Sequence, residues 1–594
     1  MRKTKILCTI GPPCDSVETL KKMIESGMDA ARINFSHGTH ETHTVEINNV
    51  KRARLEMNVP VPLILDTKGP EIRIKTFAKK EVYIKQGTSF TLTTDDVEGD
   101  ETKVSVTHRN LPKDVSVGER ILLDDGLIEL KVRDLTDTEI RCDVINSGRL
   151  SSRKGVNVPN VYVSLPSLTE QDVNDIIFGI KMGFDYIAAS FIRSEADVLK
   201  IRQVLEENGG AHIRIISKIE SRDGVENIEK ILDVSDGIMV ARGDLGVELY
   251  PEEVPVKQKL LINLANARSK PVITATHMLE SMTENPRPTR AEVNDVANAI
   301  YDGSDVIMLS GETAKGKYPV EAVKMMARIA ESSEEDIDYY GDKYTGTNLH
   351  SAYITATNAI SHAAFSIARD LKAGCIAAIT TSGFSIRMIS KFRPKCPILA
   401  IATDEVVQRQ LNLIWGCVPV IYTETLGEET VFDTAVGIAE RSGIVKTGDA
   451  IVITVGLPIG SAVTTNTLKI QVIGNVFAKG RGLGGKAVRG RANVFKNLDE
   501  FGMLRKEIVQ GDILIVTKTT DEMIPYIKKT AGIVVGSGQF EDKDFDHTKT
   551  VCTAIGIPAV YCKENVAELI PDSIEITVDG ENGFVYNGKK AVDA

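Results

Sequence analysis

The chain has 594 residues, of which 42% are hydrophobic and 26% charged, and its formal net charge is -11. This length predicts several domains, each with its own core. The acidic balance argues against a general nucleic-acid-binding protein, because such proteins carry a basic footprint. No apolar run is long enough for a membrane span or a secretory signal, so we expect a cytoplasmic protein with no membrane partner. The eight cysteines show no Cys-x-x-Cys spacing, which disfavours a zinc site or a disulfide framework.

The first half of the chain alternates short apolar runs with longer amphipathic ones. This alternation is typical of βα units around a parallel sheet. Eight such strands fit a closed (β/α)8 barrel, in which the carboxyl ends of all the strands open into one mouth. The predicted strands are Lys5–Ile10, Ala30–Phe35, Leu63–Asp66, Tyr186–Phe191, Ile213–Ile219, Gly237–Ala241, Val272–Ala275 and Val306–Leu309.

Three more domains are predicted outside the barrel. The segment after the third strand is rich in Thr, Val and Asp and lacks a helical period, so we expect an inserted β-barrel domain that acts as a lid at the barrel mouth. Alternation of strands and helices returns later and predicts an αβ domain. The last region begins with a Gly-rich basic tract and is predicted to be β-rich. The predicted boundaries are 1–70 and 167–347 for the barrel, 71–166 for the lid, 348–473 for the αβ domain and 474–594 for the last domain.

Two runs in the barrel join an apolar strand to residues that can hold a metal and a phosphate. Residues 215–220 read Ile-Ile-Ser-Lys-Ile-Glu, and residues 239–246 read Met-Val-Ala-Arg-Gly-Asp-Leu-Gly. Because successive strands end at the same mouth, Lys218, Glu220 and Asp244 are expected to converge there. A lysine beside two carboxylates suits metal-assisted chemistry on an anion.

Other strand ends add polar groups to the same mouth. Arg32, Asn34 and Ser36 alternate along the second strand and should share one face. An arginine beside an amide and a hydroxyl suits a phosphate with a hard cation nearby. Further carboxylate and hydroxyl groups end the third and seventh strands, at Asp66, Thr67 and Thr276.

Taken together, these runs closely resemble the signatures of the pyruvate kinase family. The resemblance extends in order from residue 1 to about residue 473 and omits no motif. The matching runs are Lys3–Ile6, Thr9–Pro12, Ala31–Gly38, Asp66–Arg73, Ile216–Glu220, Met239–Gly246 and Ala275–Met282.

The resemblance implies an allosterically regulated, homotetrameric enzyme of the last step of glycolysis. Such an enzyme transfers the phosphoryl group of phosphoenolpyruvate to ADP, giving pyruvate and ATP, with Mg2+ (or Mn2+) and K+ as cofactors. These transfers depend on charge neutralisation and positioning more than on covalent catalysis. By resemblance, Lys218 stabilises the transferring phosphoryl group, and Glu220 and Asp244 bind magnesium. The residues implied for phosphoenolpyruvate are Arg32 at the phosphate and Gly243, Asp244 and Thr276 at the carboxylate.

The resemblance also assigns the potassium and nucleotide sites. Glu71 matches the form of the family that depends on potassium. Arg73 and Lys154 match two ATP-binding residues at the barrel edge and on the lid. A proton is expected to reach enolpyruvate through water near Thr276 and Ser310. The implied potassium ligands are Asn34, Ser36, Asp66 and Thr67.

A second site is expected at a helix N-terminus in the αβ domain. The strand Cys375–Thr380 leads into hydroxyl groups and free N–H groups before a helix predicted at Ile386–Phe392, an arrangement that binds phosphate. It resembles the effector loop of the family, although Thr381 and Phe384 replace the basic residues of forms activated by fructose bisphosphate. We therefore expect a sugar monophosphate or AMP, with simple helix capping as the alternative. The candidate residues are Thr380, Thr381, Ser382, Gly383 and Ser385.

Three short runs stand out in the last domain: Gly511–Ile515, Gly556–Val560 and Glu575–Asp579. In these runs the domain resembles the mobile phosphohistidine domain of phosphoenolpyruvate-utilising enzymes. His547 lies where the carrier histidine would lie, but its neighbours Asp544 and Asp546 are acidic and would repel a phosphoryl group. A structural or interface role is favoured over phosphotransfer.

Several alternatives remain open at this stage. A catalytically inactive regulator could share the scaffold, and a metal-dependent lyase could share the metal carboxylates but would not need Lys218 and the potassium residues together. The chain has no Gly-x-x-x-x-Gly-Lys-Ser/Thr motif, which removes a P-loop from consideration. His37, His40 and His43 look like a metal cluster, but helical spacing turns the third away, so a solvated helix start is favoured.

Overall fold

The computed structural model describes residues 1–161, 163–337, 355–459, 465–474, 476–497, 507–539 and 542–588. The chain divides into two compact units, which are described in turn. The first comprises Met1–His362 and Ala378–Thr425, and the second comprises Ala363–Ala377 and Leu426–Ala594. None of the helices in the described ranges combines the length and the apolarity that crossing a membrane requires.

The first unit is built on a closed parallel barrel with an inserted β domain. The chain begins with β1 (Lys5–Thr9), β2 (Ala30–Asn34) and β3 (Leu63–Asp66). The inserted strands are β4 (Glu81–Ile84), β5 (Ser89–Thr93), β6 (Lys103–Ser105), β7 (Arg120–Leu123), β8 (Ile128–Leu135), β9 (Glu139–Val144), β10 (Gly148–Ser151) and β11 (Val156–Asn157). The barrel continues with β12 (Tyr186–Ala189), β13 (Arg214–Ile219), β14 (Gly237–Ala241), β15 (Val272–Ala275) and β16 (Val306–Leu309).

Strand order confirms the predicted barrel. It closes as β1-β16-β15-β14-β13-β12-β3-β2. The insertion forms a six-stranded sheet, β11-β7-β8-β9-β5-β6, and a two-stranded antiparallel sheet, β10-β4, rather than a closed barrel. Parallel register places Asn34 beside Asp66 and Lys218 beside Met239. The strand ends that carry the predicted site residues therefore lie next to one another at the mouth.

Helices surround the barrel, and several of them begin at a Ser or Thr cap. Thr169, for example, caps α4 through a capping box with Asp172, as the sequence near residue 169 predicts. The helices of this region are α1 (Val17–Glu25), α2 (His40–Met57), α3 (Leu111–Asp114), α4 (Glu170–Lys181), α5 (Glu195–Glu207), α6 (Arg222–Glu226), α7 (Ile228–Val234), α8 (Arg242–Glu248), α9 (Val254–Ala267), α10 (Arg290–Asp302), α11 (Gly311–Ala314) and α12 (Pro319–Asp336).

Aspartates close the amino ends of alternate barrel strands. Asp29, Asp185, Asp236 and Asp305 each directly precede a strand and accept a backbone N–H from the strand beside it, at 2.7 to 2.9 Å. Each carboxylate also meets an arginine, so its buried charge is paired. The arginine partners are Arg2 for Asp29, Arg409 for Asp185, Arg202 and Arg214 for Asp236, and Arg393 for Asp305.

Residues 378–425 pack on this amino end of the barrel. Leu413 is buried with the side chains that fill the barrel interior, and the Tyr186 hydroxyl donates to the Gln410 carbonyl at 2.7 Å. The remaining elements of the first unit are α14 (Phe384–Ser390), β18 (Ile398–Ala402), α15 (Glu405–Leu411) and β19 (Cys417–Ile421). Two elements, α13 (Ala356–Asp370) and β17 (Cys375–Thr380), have residues in both units.

The second unit contains a closed barrel of its own with the order β22-β26-β25-β24-β23-β27-β28. Its strands are β20 (Ala450–Val455), β21 (Thr467–Val472), β22 (Val476–Gly482), β23 (Val488–Val494), β24 (Ile513–Val516), β25 (Gly532–Val535), β26 (Ala559–Cys562), β27 (Glu575–Asp579) and β28 (Phe584–Asn587). Its helices are α16 (Val431–Arg441), α17 (Ile524–Ile527), α18 (Asp542–Ile555) and α19 (Val566–Leu569).

The predicted elements differ from the structure mainly at their ends. The fourth barrel strand stops at Ala189 rather than Phe191, because Ser190 turns to bond Thr67 and Phe191 adopts a left-handed φ of 55°. The insertion also contains the short helix α3, started by Pro112, which its lack of helical period did not indicate. Helix α14 begins at Phe384, two residues earlier than predicted.

Candidate active site

Lys218 is buried at the centre of the barrel mouth. Its Nζ lies 3.2 Å from Asp66 Oδ1, 2.8 Å from Glu220 Oε1 and 2.8 Å from Ser190 Oγ. Burial alone lowers the pKa of Lys218, but Asp66 and Glu220 outweigh it and hold this pKa above its ordinary value. The ammonium group is therefore a fixed positive charge in a site that excludes most water.

Asp66 links this lysine to a second buried cation. Arg32 Nε donates to Asp66 Oδ2 at 2.7 Å, and Arg32 Nη1 donates to the Thr9 hydroxyl at 2.9 Å. Burial raises the pKa of Asp66, yet Arg32 and Lys218 together hold it below its ordinary value. One carboxylate thus positions two cations that the sequence places on different strands.

Glu220 and Asp244 supply the remaining carboxylates. Glu220 Oε2 accepts the backbone N–H of Phe191 at 2.6 Å, while Oε1 is buried and has no hydrogen-bond partner among the described residues beyond the ion pair with Lys218. Burial raises the pKa of both carboxyls against the lowering effect of Lys218. Two desolvated carboxylates close to each other are suited to a divalent cation.

Thr276 and Gly243 meet at the end of the seventh strand. The Thr276 hydroxyl accepts the Gly243 N–H at 2.8 Å and donates to the Ala275 carbonyl at 2.7 Å. Thr276 has a φ of 67°, a left-handed conformation that Arg242 supports by donating to its carbonyl. The two predicted carboxylate-binding residues are therefore in direct contact.

The residues predicted for potassium occupy the ends of two neighbouring strands. Asn34 Oδ1 accepts the N–H of Ser36 at 3.1 Å, and Thr67 bonds Ser190 through both its hydroxyl and its carbonyl. Asp66 lies opposite Asn34, but its two oxygens already accept hydrogen bonds from Arg32 and Lys218. Oxygen atoms are thus gathered here.

Comparison with known proteins connects this geometry to one family. The family model for the pyruvate kinase barrel domain matches residues 1–323, and that for the pyruvate kinase alpha/beta domain matches residues 358–471. The chain belongs to the pyruvate kinase family. Membership confirms the predicted resemblance, and the chain is accordingly a phosphotransferase. A third family model, the mobile domain of PEP-utilising enzymes, matches residues 508–583.

Individual relatives extend the match over the full length. A pyruvate kinase of Geobacillus stearothermophilus is 47% identical over 597 residues, covering 100% of both chains, and one of Staphylococcus aureus (strain MRSA252) is 44% identical over 591 residues, covering 99% of each. A crystal structure of a pyruvate kinase from Cryptosporidium parvum superposes with a TM-score of 0.76 at 40% identity, covering 79% of this chain and 96% of that one.

The residues predicted to bind the nucleotide lie on a cavity of about 440 Å³ between the insertion and the barrel. Arg73 and Lys154 both line it, together with Asp244. Arg73 pairs with Glu71 at 2.6 Å, and Lys154 pairs with Asp124 at 2.8 Å. The cavity thus brings basic side chains of the insertion to the same space as a carboxylate of the barrel.

The predicted effector loop forms a tight turn. The Thr380 hydroxyl accepts the N–H of Gly383 at 2.9 Å, and Gly383 has a φ of 77°. Thr381 and Ser382 are exposed, whereas Thr380 and Ser385 are buried. Arg214 and Arg387 each donate to the Ser382 carbonyl at 3.4 Å. Arg214 begins the same strand, β13, that carries Lys218.

Some contacts of the site were not indicated by the sequence. Ser190 bonds Lys218, and Phe191 bonds Glu220, although neither Ser190 nor Phe191 has an ionisable side chain. The sequence feature that could have revealed them is the early end of the fourth strand. The predicted solvated helix start is wrong for His43, which is buried against Phe35. His40 keeps a side chain that is 40% exposed, and it bonds Asp175 of the neighbouring helix α4 at 2.7 Å.

Proposed function

We propose that the barrel mouth transfers the phosphoryl group of phosphoenolpyruvate to ADP, with Lys218 as the cation that stabilises the transferring group. The observation that carries this proposal is the burial of the Lys218 ammonium between Asp66 and Glu220, at 3.2 and 2.8 Å. A compact charge held in place before the reaction costs no reorganisation when negative charge spreads over the phosphoryl oxygens.

Phosphoenolpyruvate would bind across the mouth. Arg32, oriented by Asp66 and Thr9, grips the phosphate. On the opposite side Gly243 and Thr276, together with Asp244, bind the carboxylate. The distance between a phosphate site and a carboxylate site then fixes the substrate in one orientation.

Glu220 and Asp244 would hold Mg2+ (or Mn2+). The buried Oε1 of Glu220, which has no hydrogen-bond partner among the described residues apart from its ion pair with Lys218, fits such a ligand. Magnesium keeps waters and substrate oxygens beside one or two carboxylates, and when bound it neutralises charge on those oxygens. Asn34, Ser36, Asp66 and Thr67 would hold K+ at or just beyond the ends of the neighbouring strands β2 and β3. Glu71 matches the form of the family that K+ activates.

ADP would enter the cavity that Arg73 and Lys154 line. The lid closes over it and excludes water, which otherwise competes with ADP for the phosphoryl group. Enolpyruvate then gains a proton at carbon through water near Thr276 and Ser310. Ser310 supports this route, since its hydroxyl is buried and has no partner within the described part of the chain.

The remaining expectations concern regulation and organisation. A sugar monophosphate or AMP would bind the loop of Thr380 to Ser385, where Arg214 and Arg387 add positive charge. The protein would act in the cytoplasm as a homotetramer, with the domain division 1–70 and 167–347, 71–166, 348–473 and 474–594. The last domain would be a non-catalytic appendage.

Pyruvate formation tests the proposal. The enzyme is assayed with phosphoenolpyruvate, ADP and magnesium, with potassium or sodium, and with AMP, ribose 5-phosphate or fructose 1,6-bisphosphate added in turn. We expect turnover that rises with potassium and with a monophosphate. Turnover without a response to any phosphate would refute the effector site alone, and no turnover under any condition would favour an inactive regulator.

A further inference from the structure

Residues 163–166 lead from the insertion, the proposed lid, back to the barrel, and one barrel side chain holds this return segment. Arg193 Nη1 donates to the Val163 carbonyl at 2.8 Å, and Arg193 Nη2 donates to the Leu165 carbonyl at 2.9 Å. Both carbonyls belong to this return segment. The planar guanidinium can bond two carbonyls at once, which a lysine ammonium on its flexible stem does less rigidly.

The backbone of Arg193 is itself fixed to the barrel. Its N–H donates to Asp197 Oδ2 at 3.1 Å, and its carbonyl accepts from Asn227 Nδ2 at 2.9 Å. Arg193 therefore connects the lid's return segment to a rigid part of the barrel.

Two residues earlier, the same stretch reaches the proposed metal ligands. Phe191 has a φ of 55° and donates its N–H to Glu220 Oε2 at 2.6 Å. A non-glycine residue in this conformation needs support from its surroundings. The short run from Phe191 to Arg193 thus has one end on Glu220 and the other on the lid.

This connection lies in the wall of the proposed nucleotide cavity. Val163, Leu165, Phe191 and Arg193 all line the same space as Asp244. A shift of the return segment would therefore change two things at once: the shape of the cavity and the position of the backbone N–H that bonds Glu220.

We propose that Arg193 is a positioning residue that couples the lid to the metal-binding carboxylate. It holds the return segment over the nucleotide cavity and keeps Phe191 in the conformation that orients Glu220. The inference rests on the proposed function, since it assigns a role to the lid and to Glu220 in phosphoryl transfer. Arg193 itself touches neither the substrate nor the reacting atoms.

The variants Arg193→Met and Arg193→Lys test this proposal, with Arg202→Met as a matched control. Arg202 belongs to the same βα unit and also donates to a backbone carbonyl, that of Ile213 at 2.9 Å, but at the amino end of the strands. Loss of two hydrogen bonds from a charged donor predicts that Arg193→Met raises the KM for ADP by about tenfold or more. We expect kcat at saturating ADP to change much less than KM. The KM for ADP of Arg193→Lys should lie between that of the wild type and that of Arg193→Met.

Binding of Mn2+ to the free enzyme, followed by electron paramagnetic resonance, gives a readout independent of turnover. Arg193→Met should weaken Mn2+ binding, whereas Arg202→Met should leave both Mn2+ affinity and the KM for ADP unchanged even if it lowers the melting temperature. Equal effects of the two variants would overturn the proposal. If the wild-type enzyme has no turnover, the proposed function fails, and the Mn2+ measurement still tests the link between Arg193 and Glu220.

Discussion

Replacing Lys218 with Met removes the one ammonium group that contacts both Asp66 and Glu220. The substitution keeps a side chain of similar length, so the packing at the end of β13 is retained. Asp66 keeps its bond from Arg32, while Glu220 keeps the N–H of Phe191. We therefore expect the variant to fold and to lose catalysis specifically.

The size of the loss follows from the electrostatics of the site. Two unit charges 4 Å apart interact by about 4 kcal/mol at an effective dielectric constant of about 20. If this stabilisation acts mainly in the transition state, its removal lowers kcat by about a thousandfold. Loss of the lysine also leaves the carboxylates of Asp66, Glu220 and Asp244 with one cation fewer. The more negative site then repels an anionic substrate.

The assay is pyruvate formation at saturating phosphoenolpyruvate, ADP, magnesium and potassium. Lys259→Met is the control, because Lys259 forms an exposed ion pair with Asp302 away from the mouth. Circular dichroism checks that both variants fold. A kcat of Lys218→Met within about tenfold of the wild type would refute the role given to this charge.

Three further outcomes are expected. Arg393→Ala leaves the buried Asp305 unpaired and should lower the free energy of unfolding by about 3–5 kcal/mol in urea titrations; no loss would show that the pair is solvated. Burial raises the pKa of Asp236, but Arg214 and the Ile215 N–H hold it below its ordinary value, so its stabilisation is present above about pH 4 and lost in more acidic solution. Asp236→Asn should therefore lower stability at neutral pH and flatten its fall below about pH 4, and an unchanged slope in the unfolding free energy would contradict this. His547→Ala should keep kcat within about twofold, because Thr519 and Asp521 already occupy both ring nitrogens, at 2.8 and 3.1 Å; a large loss would revive a phosphocarrier role.

Local patterns determined the barrel and the identity of its polar residues. Apolar runs such as Gly237–Ala241 and Val306–Leu309 coincide with strands in the structure. A strand of a parallel sheet is buried on both faces, and its sequence is therefore a continuous apolar run. Lys218, Glu220 and Asp244 were expected at the mouth since the ends of parallel strands share one edge, and the structure places them there.

The tertiary structure alone decided which of these groups touch. That Asp66 bonds both Arg32 and Lys218 depends on strands far apart in the sequence, and no spacing rule gives that distance. Likewise, Phe35 packs against the buried His43, and helix α4 supplies Asp175 as the partner of His40. A helical wheel drawn for α2 alone shows neither contact. Arg193 carries no motif, and its role is visible only where the lid's return segment crosses it. Periodicity records which face of an element is apolar, whereas contacts between elements depend on the packing that the whole chain reaches.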